Sequence, residues 1–229
     1  MTKTISIFIP AYNEANTIGA VVAQLKTLNS PYKIFVIDDG STDDTFKNAS
    51  EAGAIVIRHP INLGGGAAIR TAFSIALLEK VDYIVTLDAD SQHDPKELPY
   101  LLHQTEQKIG LVIGSRFLGD CQIKMKNYRQ YGIKFFSSLV SKIINKRVTD
   151  VTSGYRMYNI QEIKKIYCQL GENQYYSIEL LMRIAKNANV VEVPIQDLNR
   201  LSGKSKKGLL RYCYHLFRVF LKSSVTHIS

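Results

Sequence analysis

Apolar residues fall along the chain in short runs separated by longer stretches of helical spacing. Ile5-Ser6-Ile7-Phe8-Ile9, Ile34-Phe35-Val36-Ile37, Ala54-Ile55-Val56-Ile57, residues 83–87 and Leu111-Val112-Ile113-Gly114 read as strands. Between them, Ile18, Val21, Val22, Leu25 and Leu28 recur at helical spacing. Residues 42–52 read as a helix ending at Gly53, Ala67 to about Leu78 as an apolar helix, and another helix starts near Asp94-Pro95. Repeated β-α-β units predict an α/β fold: one doubly wound, mostly parallel sheet with right-handed crossovers.

Beyond Arg116 the pattern changes. Residues 127–145 predict a helix whose apolar side is Tyr128, Tyr131, Phe135, Leu139, Ile143 and Ile144, and residues 177–188 predict another. A strand-like run, 190–195, precedes a Gly/Ser/Lys loop over 202–208. From Leu209 to Leu221 the chain is amphipathic, with Leu210, Tyr214, Phe217 and Leu221 on one face and Arg211, Arg218 and Lys222 at its polar edge. That segment suits the membrane interface, packing on the domain, or pairing with a second copy in a homodimer.

Two strands end in acids. Ile84-Val85-Thr86-Leu87 runs into Asp88-Ala89-Asp90-Ser91-Gln92, and Ile34–Ile37 into Asp38-Asp39-Gly40-Ser41-Thr42-Asp43. On an extended segment Asp88, Asp90 and Gln92, at i, i+2 and i+4, project from the same side. Three oxygen donors there suit one hard divalent cation, Mg²⁺ or Mn²⁺. The carboxyl ends of strands are also where open α/β sheets place ligands.

With 229 residues and 45% hydrophobic content, the chain is expected to form a single domain of two halves. Cys121, Cys168 and Cys213 are odd in number and scattered, which fits neither a disulfide framework nor a zinc site and favours a reducing cytosolic setting. No signal-peptide layout opens the sequence, and no apolar run approaches the ~20 residues of a spanning helix. The net charge of +9 is unevenly placed. Lys124, Lys126, Arg129, Lys134, Lys142, Lys146 and Arg147 lie between Asp120 and Asp150 with no acid among them, and a second basic cluster follows Asp197. The division predicts metal and donor in the first half, and an anionic acceptor or anionic surface in the second. A solvated basic face remains the plainer alternative. Nucleic acid is not expected as a partner, since neither zinc-finger spacing nor an RNA-binding aromatic motif accompanies the charge.

Ile9-Pro10-Ala11-Tyr12-Asn13-Glu14, the Asp38–Asp43 turn and Asp88-Ala89-Asp90 stand in the order and spacing of family 2 glycosyltransferases of the GT-A (nucleotide-diphospho-sugar transferase-like) fold. Asn62-Leu63-Gly64-Gly65-Gly66-Ala67-Ala68-Ile69-Arg70 resembles the family's glycine-rich segment, Gly114-Ser115-Arg116 its post-strand arginine, and Asp150-Val151-Thr152-Ser153-Gly154-Tyr155-Arg156 its D-x-x-S-G-(F/Y)-R signature. Glu192-Val193-Pro194-Ile195, with Arg200, Gly203, Ser205 and Lys206, is similar to the ending of dolichyl- and polyprenyl-phosphate sugar transferases. The likeness spans about residues 5 to 207. It divides the domain into a nucleotide-sugar and metal half (1–118), an acceptor half (119–207) and a C-terminal amphipathic helix and tail (208–229).

The resemblance implies that Pro10, Tyr12 and Glu14 hold the nucleotide base, although a proline turn and a capping glutamate would look the same. It further implies that Asp39 takes ribose hydroxyls, with Asp38 contributing or only capping the turn. Asp88, Asp90 and Gln92 would hold the metal that neutralises the leaving nucleoside diphosphate. His93 beside them reads as incidental. Arg116 and Arg129 resemble a clamp on the acceptor phosphate, Ser153 a donor to it, and Arg200 and Lys206 cations closing over both phosphates. Arg129 reads equally well as solvated surface. Asp150 positions Arg116 or the acceptor, or acts as a base for a hydroxyl acceptor.

The acceptor follows from chemistry. A sugar hydroxyl needs a positioned base, whereas a lipid monophosphate with second pKa near 6 is already anionic. The chain lacks the E-D base motif and, with no tryptophan, the Q-x-x-R-W of processive synthases. The expected activity is therefore a metal-dependent, inverting transfer of one sugar from a GDP- or UDP-sugar to polyprenyl phosphate, by a protein peripheral to the inner membrane face. A saccharide acceptor, or a catalytically silent nucleotide-binding scaffold, is the alternative.

Overall fold

The computed structural model describes residues 3–28, 31–106, 109–119, 123–170, 176–198 and 217. Arg200, Lys206, the loop 202–208 and, Phe217 apart, the amphipathic segment 209–221 lie outside the described residues, and so do the membrane and homodimer roles assigned to that segment.

In chain order the elements are β1 (Ile5–Ala11), α1 (Ala15–Thr27), β2 (Lys33–Asp38), α2 (Thr45–Glu51), β3 (Ile55–Arg58), α3 (Gly65–Leu78), β4 (Tyr83–Thr86), α4 (Leu98–Leu102), β5 (Ile109–Ser115), α5 (Asn127–Ile144), β6 (Arg156–Asn159), α6 (Ile160–Ile166), α7 (Tyr176–Ala185) and β7 (Asn189–Pro194). The seven strands form one sheet in the order β3-β2-β1-β4-β6-β5-β7. Pairing is parallel except on both sides of β6, which runs antiparallel between β4 and β5.

The alternation within each strand explains the three layers. In β1, Phe8 faces a core shared with α3, α5, α6 and α7, while Ile7 and Ile9 face one shared with α1, α2 and α4. Side chains two apart share a face, and a sheet covered on both sides reads as continuous apolar runs. Phe8 stacks on Phe35 across β1 and β2 at 4.8 Å. In α1 the spacing of Ile18, Val21, Val22 and Leu25 holds, and all four are buried. Each such side chain contributes about 1.5–3 kcal/mol by leaving water.

Two expectations need correction. The antiparallel β6 and the following α6 carry no clear sequence signal, because Arg156-Met157-Tyr158-Asn159 is short and half polar. The apolar side of α5 also departs from the expected one in its N-terminal half, while Leu139, Ile143 and Ile144 pack on the core as expected. Ile133, Phe136, Ser137, Val140 and Ile144 are buried, while Tyr128, Tyr131 and Phe135 stay 46%, 72% and 61% exposed. The reason is polar: Ser137 Oγ donates to the Thr149 carbonyl and Ser141 Oγ to the Val148 carbonyl. Two serines on the inner face thereby satisfy the backbone of the returning loop.

Candidate active site

The parallel strands bring their carboxyl ends to one edge. Ala11 pairs with Asp38 there, and Thr86 with Arg156. Antiparallel β6 begins at that edge, so the Asp150–Arg156 segment enters beside the acidic loop after β4.

At the carboxyl ends of β1 and β2, the first loop and the Asp38–Asp43 turn are stitched together. Asn13 N–H donates to Ser41 Oγ, Glu14 N–H to Thr45 Oγ1, Ala15 N–H to Asp43 and Thr42 N–H to Asn13 Oδ1. Pro10, Tyr12 and Glu14 are half-buried on this loop. Glu14 occupies the N-cap position of α1, but its side chain makes no capping bond, and its carboxylate faces the Thr17 hydroxyl at 3.4 Å. Asp38 is fully buried; it caps the turn through Ser41 N–H and pairs with Arg58 at 3.2 Å.

Asp39 is buried and accepts three hydrogen-bonding groups: Leu63 N–H at 3.0 Å, Gly64 N–H at 2.7 Å and His59 Nδ1 at 2.7 Å. His59 continues to Thr71 Oγ1 on α3 at 2.9 Å. The carboxylate thus latches the glycine-rich loop to the end of β2. Gly64 sits at φ 97, a left-handed conformation that glycine adopts without strain. His59 had no sequence signal of its own, since its link to Asp39 spans 20 residues and two strands.

The metal set does not arise by strand alternation. Extended structure ends at Thr86, residues 89–90 turn, and Ser91 lies at φ 62. Asp90 Oδ1 accepts Gln92 N–H at 3.1 Å, which closes the turn. Asp88, Asp90 and Gln92 are all half-buried, and the Asp88 side chain is 41% exposed. No cluster of three His, Cys, Asp or Glu able to hold a metal occurs among the described residues. Two carboxylates and an amide oxygen nevertheless suit Mg²⁺ or Mn²⁺, which take one or two carboxylates and complete their shell with substrate phosphates and water.

Gly154 explains its place in the S-G-Y-R signature. A Cβ there would lie 2.5 Å from both Asp88 carboxylate oxygens. Thr86 Oγ1 donates to the Gly154 carbonyl at 2.8 Å, fixing that approach. Two motifs 66 residues apart in number are thus one contact in space.

Beyond the acidic loop, Arg116 is the centre of a buried polar cluster. Its Nε donates to Asp150 Oδ2 at 2.7 Å, and its Nη2 to Asp150 Oδ1 at 3.0 Å and Thr152 Oγ1 at 2.9 Å. Burial works against the guanidinium charge, yet Asp150, with Asp197 and Asp88 further off, raises its pKa above the ordinary value. Burial would raise Asp150, but Arg116 overcomes it and the carboxyl sits below the usual range. Glu192 supports Asp150 from behind by accepting the N–H groups of Thr149 and Asp150. Ser153 is fully buried, with its N–H on Asp150 Oδ1 and its Oγ accepting Tyr155 N–H. Arg129 is half-buried in the first turn of α5. The structure therefore gathers Asp88, Asp90, Gln92, Arg116 and Asp150 around one edge and keeps Ser153 beneath it. Asp197, unmarked in the sequence, is buried and accepts the N–H groups of Lys124 and Met125 ahead of α5.

Residues 6–166 match the sequence family described as Glycosyl transferase family 2, and the chain belongs to that family. It is 30% identical to a polyprenol monophosphomannose synthase of Mycolicibacterium smegmatis, over 90% of this chain and 81% of that protein. It is also 30% identical to an undecaprenyl-phosphate mannosyltransferase of Micrococcus luteus, over 86% and 85%. The fold is GT-A: the crystal structure of glucosyl-3-phosphoglycerate synthase from Mycobacterium tuberculosis, in complex with Mn²⁺, UDP-glucose and phosphoglyceric acid, superposes with a TM-score of 0.77, 20% identity and coverage of 97% of this chain and 80% of that one. The protein is a glycosyltransferase whose homologues act on polyprenyl phosphates.

Proposed function

We propose that the protein moves one sugar from a GDP- or UDP-sugar to a polyprenyl phosphate at the cytosolic membrane face. The observation that carries this reading is the state of Asp150. Both of its oxygens are taken by Arg116, and it is fully buried and held below the usual carboxylate range. Such a group is a poor base, which disfavours a hydroxyl acceptor, whereas a phosphate monoester needs no base.

In this reading Asp39 keeps the glycine-rich loop against the donor, and Pro10, Tyr12 and Glu14 border the base. Asp88, Asp90 and Gln92 hold Mg²⁺ or Mn²⁺, which supplies charge neutralisation for the departing diphosphate. Arg116 spends Nε and Nη2 on Asp150 and Thr152; among the described residues Nη1 has no partner, and it faces the acceptor phosphate with Arg129. Ser153 serves by holding Asp150, and Arg200 and Lys206 close over the phosphates. A phosphate oxygen attacks the sugar C1 as the C1–O bond to the diphosphate breaks, with inversion, and the electron pair leaves with the nucleoside diphosphate.

Membrane contact in this proposal is assigned to the C-terminal segment 209–221 and its basic residues, and α5 adds a second surface. No described helix is long and apolar enough to cross a membrane. Tyr128, Tyr131 and Phe135 lie on one exposed face at i, i+3 and i+7, and Lys126, Arg129 and Lys134 flank them; Lys134 Nζ lies 5.6 Å from the Phe117 ring centre. Aromatic side chains beside cations suit an anionic lipid surface. The double change Tyr131→Asp, Phe135→Asp is expected to weaken sedimentation with phosphatidylglycerol vesicles at least tenfold without lowering Tm; unchanged binding removes α5 from the membrane.

The function itself is tested by release of nucleoside diphosphate from GDP- and UDP-sugars with Mn²⁺, with and without a short polyprenyl phosphate, before and after chelation. Turnover that needs both lipid and metal is the expected result and names the donor. Metal-dependent donor binding without lipid-stimulated turnover would transfer the assignment to a saccharide acceptor.

A further inference from the structure

The histidine beside the metal loop is turned inward. His93 is 2% exposed, its Nε2 lies 3.3 Å from Asp88 Oδ2, and its ring centre is 5.5 Å from that of Tyr155. Its Nδ1 is buried without a hydrogen-bond partner among the described residues. The one polar contact of this buried ring is therefore a candidate metal carboxylate. A carboxylate only accepts, so the contact requires the proton on Nε2.

A buried imidazole with one nitrogen unsatisfied costs stability. An apolar ring would fill the same space beside Tyr155, although the imidazole also lies near enough to buried Glu97 to act on its charge. What the imidazole supplies and an apolar ring does not is a donor aimed at Asp88. The backbone of Gly154 also lies against the Asp88 carboxylate, which is possible only because Gly154 has no Cβ, and the Thr86 hydroxyl fixes that backbone. The carboxylate thus has an imidazole nitrogen at 3.3 Å and bare backbone against it. Its side chain is 41% exposed.

We propose that His93 is a positioning residue that holds Asp88 in the orientation needed to receive the divalent cation, and so sets the metal affinity of the site without itself being a ligand. This rests on the metal-dependent reading above. Groups that orient metal ligands from behind typically change affinity by 10–100-fold when removed.

The test measures Mn²⁺ binding with UDP or GDP present but no acceptor, from the electron paramagnetic resonance signal of free Mn²⁺. His93→Ala is expected to raise the dissociation constant about 10–100-fold. His93→Gln, whose amide N–H can take the place of Nε2–H, should recover most of that loss, within about fivefold of the wild type. In turnover, KM for the metal should rise in His93→Ala while kcat at saturating metal changes little. Thermal melting of both variants separates binding from folding, and if His93→Ala does not fold, the Gln variant decides. A folded His93→Ala with unchanged affinity overturns the proposal, as does a folded Gln variant more than tenfold weaker than the wild type. Nitrogen hyperfine coupling to bound Mn²⁺ that disappears in His93→Ala would make His93 a ligand and overturn it too. Wild-type protein that binds no Mn²⁺ with either nucleotide overturns the metal-dependent reading itself, a result distinct from normal binding that ignores His93.

Discussion

Asp150→Ala is expected to lower stability by about 3–5 kcal/mol, because it strands a buried guanidinium. The Arg116 side chain is 11% exposed and that of Asp150 not at all, and the pair is joined through both carboxylate oxygens. The same carboxylate also accepts the N–H groups of Thr152 and Ser153, so the loop carrying the S-G-Y-R signature loses its anchor. For a domain of this size the melting temperature should fall by roughly 10 °C. The pH dependence has a definite sign. Asp150 sits below the ordinary aspartate value, so its stabilisation is complete above the unfolded pKa and is lost as pH falls through the folded one. The variant should therefore show a flatter acid limb than the wild type. A variant that melts within about 2 °C of the wild type would mean that the Arg116 guanidinium is not left stranded when Asp150 is removed.

Gly154→Ala should separate activity from stability. The added methyl would meet both Asp88 oxygens at 2.5 Å, yet these atoms end a flexible, 41% exposed side chain that can swing into solvent. Gly154 is itself buried, but because the atoms it meets end a flexible side chain, folding should cost only about 1 kcal/mol, near the centre of the range for single substitutions. Turnover should drop by about 100-fold or more, since displacement of a reacting group by about 1 Å already costs that much. Measurement of kcat and of Mn²⁺ affinity beside a melting curve decides the matter. Normal turnover in Gly154→Ala would show that Asp88 does not need the position seen here.

Several features were legible in the chain because their causes are local. The strand runs of β1, β2 and β5 and the spacing in α1 survive to within a few residues, since burial of a continuous apolar run or stripe is the same requirement in sequence and in space. The acidic loop ends were legible for a related reason: a carboxylate directly after an apolar strand has to emerge at the sheet edge. Helix α5 was found with nearly correct ends and with Leu139, Ile143 and Ile144 on the packed side, but its three N-terminal aromatic positions face outward. Its aromatic positions are the more apolar set, and only the backbone of residues 148–149, which needs two hydroxyls, turns Ser137 and Ser141 inward.

By itself the sequence determined the class of fold, the GT-A resemblance and the groups that carry chemistry, because strand-end acids, glycine turns and the D-x-x-S-G-Y-R run are each written in contiguous residues. Tertiary structure alone decided how those groups serve one another. The insertion of antiparallel β6 between β4 and β5 sets Gly154 against Asp88. The pairing of β5 with β7 brings Glu192 behind Asp150, and the return of β3 delivers His59 to Asp39. These contacts join residues 20 to 66 positions apart whose side chains have no periodic relation, so no local pattern announces them. They depend on which strands lie side by side, and that order is set by the burial of the whole core.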